Sequence, residues 1–145
     1  MTLTTSIAGV DVAPEATITA QPVLHFPSGI PGFPGRHEFR LDALEPAGAL
    51  FELRCSDDPS VRLLLVPPGV FFPNYLPELD ASALDLLGLV GDDRVQILVV
   101  LTTGATAADA TANLLAPIVI NLRTGAAAQV ILSGAGLPIR APIAH

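Results

Sequence analysis

The side chain best suited to nucleophilic chemistry is Cys55, the single cysteine of the chain. A thiol becomes an effective nucleophile when a base such as histidine lies beside it and favours the thiolate. His25 and His37 are both distant from Cys55 in sequence. We therefore predict that Cys55 is a small buried or half-buried apolar residue, and one cysteine cannot form a disulfide within the chain.

Other patterns that could support catalysis or cofactor binding are equally sparse. One cysteine and three histidines (His25, His37 and His145) are too few for a familiar zinc site. Asp57 and Asp58 could act as paired carboxylates, but their position before Pro59 predicts a turn whose side chains cap nearby amides. A phosphate-binding glycine loop ending in lysine is absent, because the chain has no lysine. We expect a protein that binds other proteins, with no metal, no cofactor and no enzymatic activity.

Charge and hydropathy restrict the partners. The chain has 14 acidic residues against seven arginines, a net charge of −7, which is the wrong sign for binding nucleic acid. The acidic surface would suit a basic protein partner, or it could serve only to keep an apolar chain soluble. No apolar run approaches the about 20 residues of a membrane span, and residues 1–20 lack the positive charge of a secretory signal. We expect a cytoplasmic protein that does not contact membranes.

The pattern of apolar residues predicts a single domain over residues 21–145, preceded by a largely unstructured tail over residues 1–20. Residues 27–35 must form a loop, because their prolines lack amide donors and their glycines permit positive φ. Strands are predicted over residues 23–26, 38–41, 50–54, 61–66, 94–101, 118–121 and 129–132.

The turn at residues 56–60 and the turn at residues 123–125 predict two hairpins. One short helix is predicted around Asp80 to Gly88, with Leu79, Leu84 and Leu87 on one face. Many short strands with one brief helix indicate a mostly β fold: a small antiparallel, barrel-like single domain.

Three stretches of the chain carry a distributed motif. In residues 26–33 a Phe precedes Gly-Ile-Pro-Gly-Phe. A second stretch runs from Asp57 through Pro67 to Tyr75, and a third covers residues 111–121 with Gln129 and Val130 after it. Together with the strands that join them, these stretches cover roughly residues 22–142, and they resemble the FliW family of bacterial flagellar assembly factors.

The resemblance implies a binding cycle without covalent chemistry. FliW-like proteins bind flagellin in the cytoplasm before export. When flagellin leaves, the freed factor binds CsrA, a small RNA-binding translational repressor, and relieves its block on flagellin synthesis. The implied partners are therefore flagellin and CsrA, and the two binding events are mutually exclusive or otherwise coupled.

Seven residues are candidates for partner contacts, each with a structural alternative. Aromatic side chains are enriched as interface anchors, while apolar residues in Pro/Gly loops also serve to cap a core. Asn113 and Asn121 bracket an apolar segment, and we interpret their side-chain amides as caps of the strand ends. The candidates are Ile30, Phe33, Phe72, Asn74, Tyr75, Asn113 and Asn121.

Two other classes of function stay open at this point. Small antiparallel barrels host many activities, so a ligand-binding protein of the flavin type or a hydrolase is an alternative. A structural oligomer is a third possibility, suggested by the excess of apolar residues.

Overall fold

A computed structural model describes residues 5–7, 10–12, 23–27, 29–30, 35–44, 50–58, 60–72, 75, 79, 81–89, 94–103, 109–132 and 137–143. These residues form short strands, one α-helix, α1 (Ala81–Leu87), and a 3-10 turn at Pro68–Val70. The strands in chain order are β1 (Thr5–Ile7), β2 (Val10–Val12), β3 (Val23–His25), β4 (Glu38–Ala43), β5 (Phe51–Cys55), β6 (Arg62–Val66), β7 (Arg94–Thr102), β8 (Thr111–Ala112), β9 (Ile118–Asn121), β10 (Ala127–Gln129) and β11 (Ala141–Pro142).

The nine-residue strand β7 organises the sheet. Strands β3, β4, β5, β6 and β7 are joined in sequence order by antiparallel pairing. Along its first half β7 also pairs with β9, and near its end it pairs with β8. Residues Val95 to Val99 of β7 are all buried, as expected for a β-branched, apolar strand covered on both faces.

The sheet is predominantly antiparallel but is not closed as a barrel. Its pairing path runs from β1 to β3, and β10 and β11 extend from it through β9 and β8. A single parallel bridge between His25 and Ala126 brings β3 beside the start of β10. There the His25 amide donates to the Gly125 carbonyl at 2.9 Å. The prediction of a mostly β, antiparallel domain with one short helix is confirmed, but the sheet does not close into a barrel.

Apolar side chains pack into three clusters around β7. The inner cluster is centred on Phe26, Phe39 and Phe51, and Leu98 of β7 contributes to it. Val95 and Ile97 point the other way into the helix cluster, with Leu87 of α1. The corner cluster comprises Val66, Val99, Ala112, Leu114 and Ala141, with partly buried aromatic side chains packed against it.

The predicted helix ends as its sequence indicates. Gly88 has φ +62°, a conformation that favours glycine. Its amide donates to the carbonyl of Asp85 at 3.1 Å, and the Leu89 amide donates to that of Leu84 at 3.4 Å. This pair of bonds is the Schellman arrangement that satisfies the last carbonyls of a helix.

The first predicted hairpin is confirmed, with β5 and β6 paired through Phe51↔Leu65 to Arg54↔Arg62. In its turn, Asp58 accepts hydrogen bonds from the Ser60 hydroxyl at 2.6 Å and the Ser60 amide at 3.2 Å. These bonds, followed by the Arg36 guanidinium at 3.2 Å, lower the pKa of Asp58. Asp58 therefore caps the turn, as its position predicts.

Several strands differ from the sequence prediction, and the short strands β8 and β11 were not predicted. The second strand of the second hairpin is β10 at Ala127–Gln129, ahead of the predicted residues 129–132. Within residues 1–20, predicted as an unstructured tail, β1 pairs with β2, and β2 pairs in parallel with the start of β7 at Asp11↔Arg94 and Val12↔Val95. The division of the chain into a tail and a domain over residues 21–145 stays a prediction.

Cys55 is 1% exposed and belongs to the inner cluster, which confirms its predicted role as a buried apolar residue. Among the helices that the structure describes, none has the length and hydropathy required to cross a membrane.

Candidate protein-binding site

Two successive turns after β6 place the aromatic candidates. Pro68 opens the 3-10 turn, and its carbonyl accepts from the amides of Phe71 at 3.1 Å and Phe72 at 2.7 Å. The carbonyl of Phe72 in turn accepts from the Tyr75 amide at 3.0 Å. Phe71, Phe72 and Tyr75 are each half-buried and pack against the corner cluster. Each of these rings therefore keeps part of its surface available to solvent.

Tyr75 connects this segment to a distant part of the chain. Its hydroxyl donates to the carbonyl oxygen of Leu114 at 2.6 Å. The ring packs against both the helix cluster and the corner cluster. Burial raises the pKa of Tyr75 well above its ordinary value, because ionisation would place a charge in an apolar setting. Tyr75 is therefore partly exposed, but it also connects the segment after β6 to Leu114.

Asn113 shapes the strand break beside Tyr75. The backbone amide of Asn113 donates to the carbonyl of Val100 at 2.9 Å and so continues the pairing of β8 with β7. Its Oδ1 atom accepts from the amides of Leu115 and Ala116, both at 3.1 Å. This local side-chain bonding competes with sheet pairing and interrupts the strand between β8 and β9. The predicted capping role of Asn113 is confirmed.

Asn121 is fully buried and has a different structural role. Its Nδ2 atom donates to the carbonyl of Leu87 at the end of α1, at 3.0 Å. Its Oδ1 atom accepts from the Arg123 amide at 2.9 Å. The side chain therefore ties the helix to the turn before β10, which confirms the interpretation as a cap.

The structure brings three of the seven candidates together. Phe72, Tyr75 and Asn113 lie around the corner cluster, and we name Phe71, Phe72, Tyr75 and residues 113–116 the aromatic corner. Ile30 is 3% exposed inside the inner cluster, so neither it nor Asn121 presents its side chain to a partner in this structure. Phe33 and Asn74 lie outside the described residues.

Two exposed apolar residues that the sequence did not single out are next in the chain to residues that bond to the aromatic corner. Ile131 is 66% exposed and precedes Leu132, whose amide donates to the Leu115 carbonyl at 2.8 Å. Ile139 is 58% exposed and follows Pro138, whose carbonyl accepts from the Leu114 amide at 3.0 Å. Their exposure depends on tertiary pairing, so the local sequence carried no signal for it.

His25 and His37, which are 12 residues apart in sequence, are neighbours in the structure. The rings of His25 and His37 are exposed, and their centroids are 6.3 Å apart. The antiparallel pairing of β3 with β4 brings them together, and His37 Nδ1 lies 2.8 Å from the carbonyl oxygen of Phe26. Within the part of the chain that the structure describes, no group of three or more potential ligands is placed to hold a metal ion.

The chemistry of the aromatic corner is that of a contact surface. It offers half-buried rings, flanking isoleucines and backbone groups, and its one ionisable side chain, Tyr75, is already committed to Leu114. Large rigid rings at a protein surface contribute binding energy when a partner removes their remaining area from water.

Comparison with known proteins places this fold in a family. The FliW protein family model matches residues 10–143. The chain is 38% identical over 119 residues to the flagellar assembly factor FliW of Geobacillus kaustophilus, covering 82% of each sequence. It is 31% identical over 129 residues to the flagellar assembly factor FliW of Bacillus subtilis, covering 89% of this chain and 90% of that one.

The three-dimensional similarity is equally extensive. A crystal structure of the flagellar assembly factor FliW superposes with a TM-score of 0.79 at 30% identity, covering 97% of this chain and 96% of that chain. The match therefore extends over nearly the whole chain. This chain belongs to the FliW family of flagellar assembly factors.

Proposed function

We propose that this chain binds flagellin in the cytoplasm and, when free of flagellin, binds the translational repressor CsrA and relieves repression of flagellin synthesis. The observation that carries the proposal is membership of a family of flagellar assembly factors, shared over nearly the whole chain. The two partners are those that the family resemblance implies.

Surface properties support binding to proteins. The aromatic corner and the flanking Ile131 and Ile139 provide apolar area of the kind that interfaces bury. The net charge of −7 favours encounter with a basic RNA-binding protein, because opposite charges accelerate association. The same charge opposes binding of the chain to the RNA itself.

The proposed regulation requires that the two partners compete or are coupled. If flagellin weakens the affinity for CsrA by some factor, CsrA must weaken the affinity for flagellin by the same factor. Flagellin leaving the cytoplasm would then raise the concentration of the factor available to CsrA.

Isothermal titration calorimetry with purified proteins tests this function. We expect flagellin and CsrA each to bind at micromolar concentrations or below in modest salt, and saturation with one to weaken binding of the other. Absence of binding to both partners under these conditions would reject the proposal, and independent binding of the two would reject its regulatory part.

Paired substitutions test the surface. Ile131→Ser combined with Ile139→Ser removes two exposed apolar side chains next to the aromatic corner. We expect at least one partner to bind about tenfold more weakly, since burying such side chains contributes roughly 1.5–3 kcal/mol each when complete. Leu44→Ser is the matched control, because Leu44 is 47% exposed in the connection after β4. Equal effects of the control and the double variant would exclude this surface.

A further inference from the structure

The outward face of β4, β5 and β6 has an unusual distribution of charge. Burial alternates along β4 and β5, with Phe39, Leu41 and Leu53 facing the inner cluster. The residues between them face outward, as the period of a strand requires. This outer face is where basic side chains are concentrated.

The strand register places three arginines side by side. Arg40 is directly opposite Arg54, and Arg54 is directly opposite Arg62. We name Arg40, Arg54 and Arg62 the arginine row. It contains three of the seven basic residues of a chain that has 14 acidic residues and no lysine. Like charges directly opposite on a sheet are destabilising, so sheet stability does not explain this arrangement.

Carboxylates on the outer face of β4 and β5 equal the row in number, but only one of them forms ion pairs with it. Glu52 accepts from Arg54 Nε at 3.1 Å and lies 3.9 Å from Arg62 Nη1, so one carboxylate serves two guanidinium groups. Arg40 forms no ion pair with any residue that the structure describes. Glu38 and Asp42 border Arg40 two residues away on β4.

The arginines remain accessible. The side chain of Arg54 is 43% exposed and that of Arg62 is 57% exposed, whereas Glu52 is only 13% exposed beneath them. Arg40 is exposed as well. Arg40 and Arg62 thus present unused donors to solvent, and each can bind a carboxylate through two parallel hydrogen bonds. Arg54 already donates to Glu52 through Nε and Nη2 and adds its remaining donors and its charge.

We propose that the arginine row binds a short acidic segment of a partner protein. Three adjacent strands span about 10 Å, so the row fits two or three carboxylates on a few residues of chain. A short segment suits this protein better than a nucleic acid. The net charge of −7 repels a long polyanion, while screening over about 8 Å lets a local cluster act alone. This inference does not depend on the identity of the partners proposed above.

Fluorescence anisotropy with labelled hexaglutamate as the probe tests the row. Arg40→Gln combined with Arg62→Gln removes two charges and retains the hydrogen bond between Arg54 and Glu52. Arg140→Gln is the matched control, since Arg140 is exposed between Ile139 and β11. Thermal unfolding followed by circular dichroism checks that all three proteins fold.

We expect the wild-type protein and the control to bind hexaglutamate, and the double variant to bind about tenfold more weakly, as two exposed charge pairs would contribute. Added salt should weaken the binding in each case. The proposal is overturned if hexaglutamine binds as well as hexaglutamate, if the double variant and the control behave alike, or if no binding occurs at low salt. Tighter binding of an oligouridine RNA, or dimerisation that the double variant abolishes in light scattering, would overturn it in favour of another occupant.

Discussion

The hydroxyl of Tyr75 donates to the carbonyl oxygen of Leu114, which is 39 residues away in the chain. The neighbouring Asn74 and Pro77 favour a surface position for Tyr75, and local sequence contains no sign of its distant acceptor. Asn113 and Asn121 were easier to interpret, because short amide side chains at strand ends commonly bond nearby backbone groups. Single residues were therefore predictable where their partners are local.

Replacing Tyr75 with Phe should destabilise the protein. The substitution keeps the ring in both clusters but leaves the Leu114 carbonyl without its donor. We expect the free energy of unfolding in urea to fall by about 1–2 kcal/mol. Thr103→Val removes an exposed hydroxyl and should change stability by less than about 0.5 kcal/mol. A loss no larger than that of the control would show that the hydrogen bond contributes little.

Alkaline titration provides a second test of Tyr75. The chain has one tyrosine and no tryptophan, so absorbance near 295 nm reports this phenol alone. Its pKa is raised by burial in the folded protein, while the unfolded value is about 10. The folded state holds the proton more tightly, so stability should fall as pH rises above about 10, where only the unfolded state ionises readily. We expect the absorbance midpoint of the native protein to lie above that in urea; coincident midpoints would contradict the burial of the hydroxyl.

Elements differ in how far their own residues determine them. Strand β9 coincides with the predicted residues 118–121, because Ile118 to Ile120 are apolar and β-branched. Strand β10 contains alanines that do not favour strands, but Ala128 is buried in the helix cluster, where α1 packs against β10, and Ala127 is buried in the inner cluster on the other face. Burial on both faces outweighed propensity there, and this burial arises only in the tertiary structure.

Asn113 should determine whether the break between β8 and β9 is stable. Asn113→Ala removes the acceptor of two backbone amides, and we expect a loss of about 1–2 kcal/mol in the free energy of unfolding. Asn113→Asp retains an oxygen at the same position and should recover most of that stability. If both variants lose the same free energy of unfolding, the two hydrogen bonds to Oδ1 do not explain the stabilising effect of Asn113.

The arrangement of the whole sheet was the least predictable level. The sequence predicted β3 to β7, β9 and the two hairpins, but the arginine row, the proximity of His25 to His37 and the pairing of β2 with β7 all depend on which strands become neighbours. Register is determined jointly by turns and by burial of one face, so it cannot be inferred from one strand alone. The open form of the sheet could not be predicted from one strand either, because it depends on how closely β3 approaches β10.

Strand β3 approaches β10 at Gly125, where a β-carbon atom would not fit. Gly125 has φ +79°, and a β-carbon added there would lie 2.9 Å from the backbone oxygen of Val23. Gly88 has a similar φ of +62° with nothing within 4 Å of the corresponding position. The two glycines therefore share backbone strain on substitution, but only Gly125 also has a close backbone neighbour.

Comparing Gly125→Ala with Gly88→Ala should isolate the energetic contribution of the contact between β3 and β10. Each alanine adopts an unfavourable positive φ at a cost of about 1–2 kcal/mol. Gly125→Ala must in addition push Val23 away and weaken the bond from His25 to Gly125, so we expect it to lose about 1–3 kcal/mol more in urea unfolding. Equal losses would mean that β3 can move away from β10 freely, and that the approach of the two ends contributes little to the stability of the open sheet.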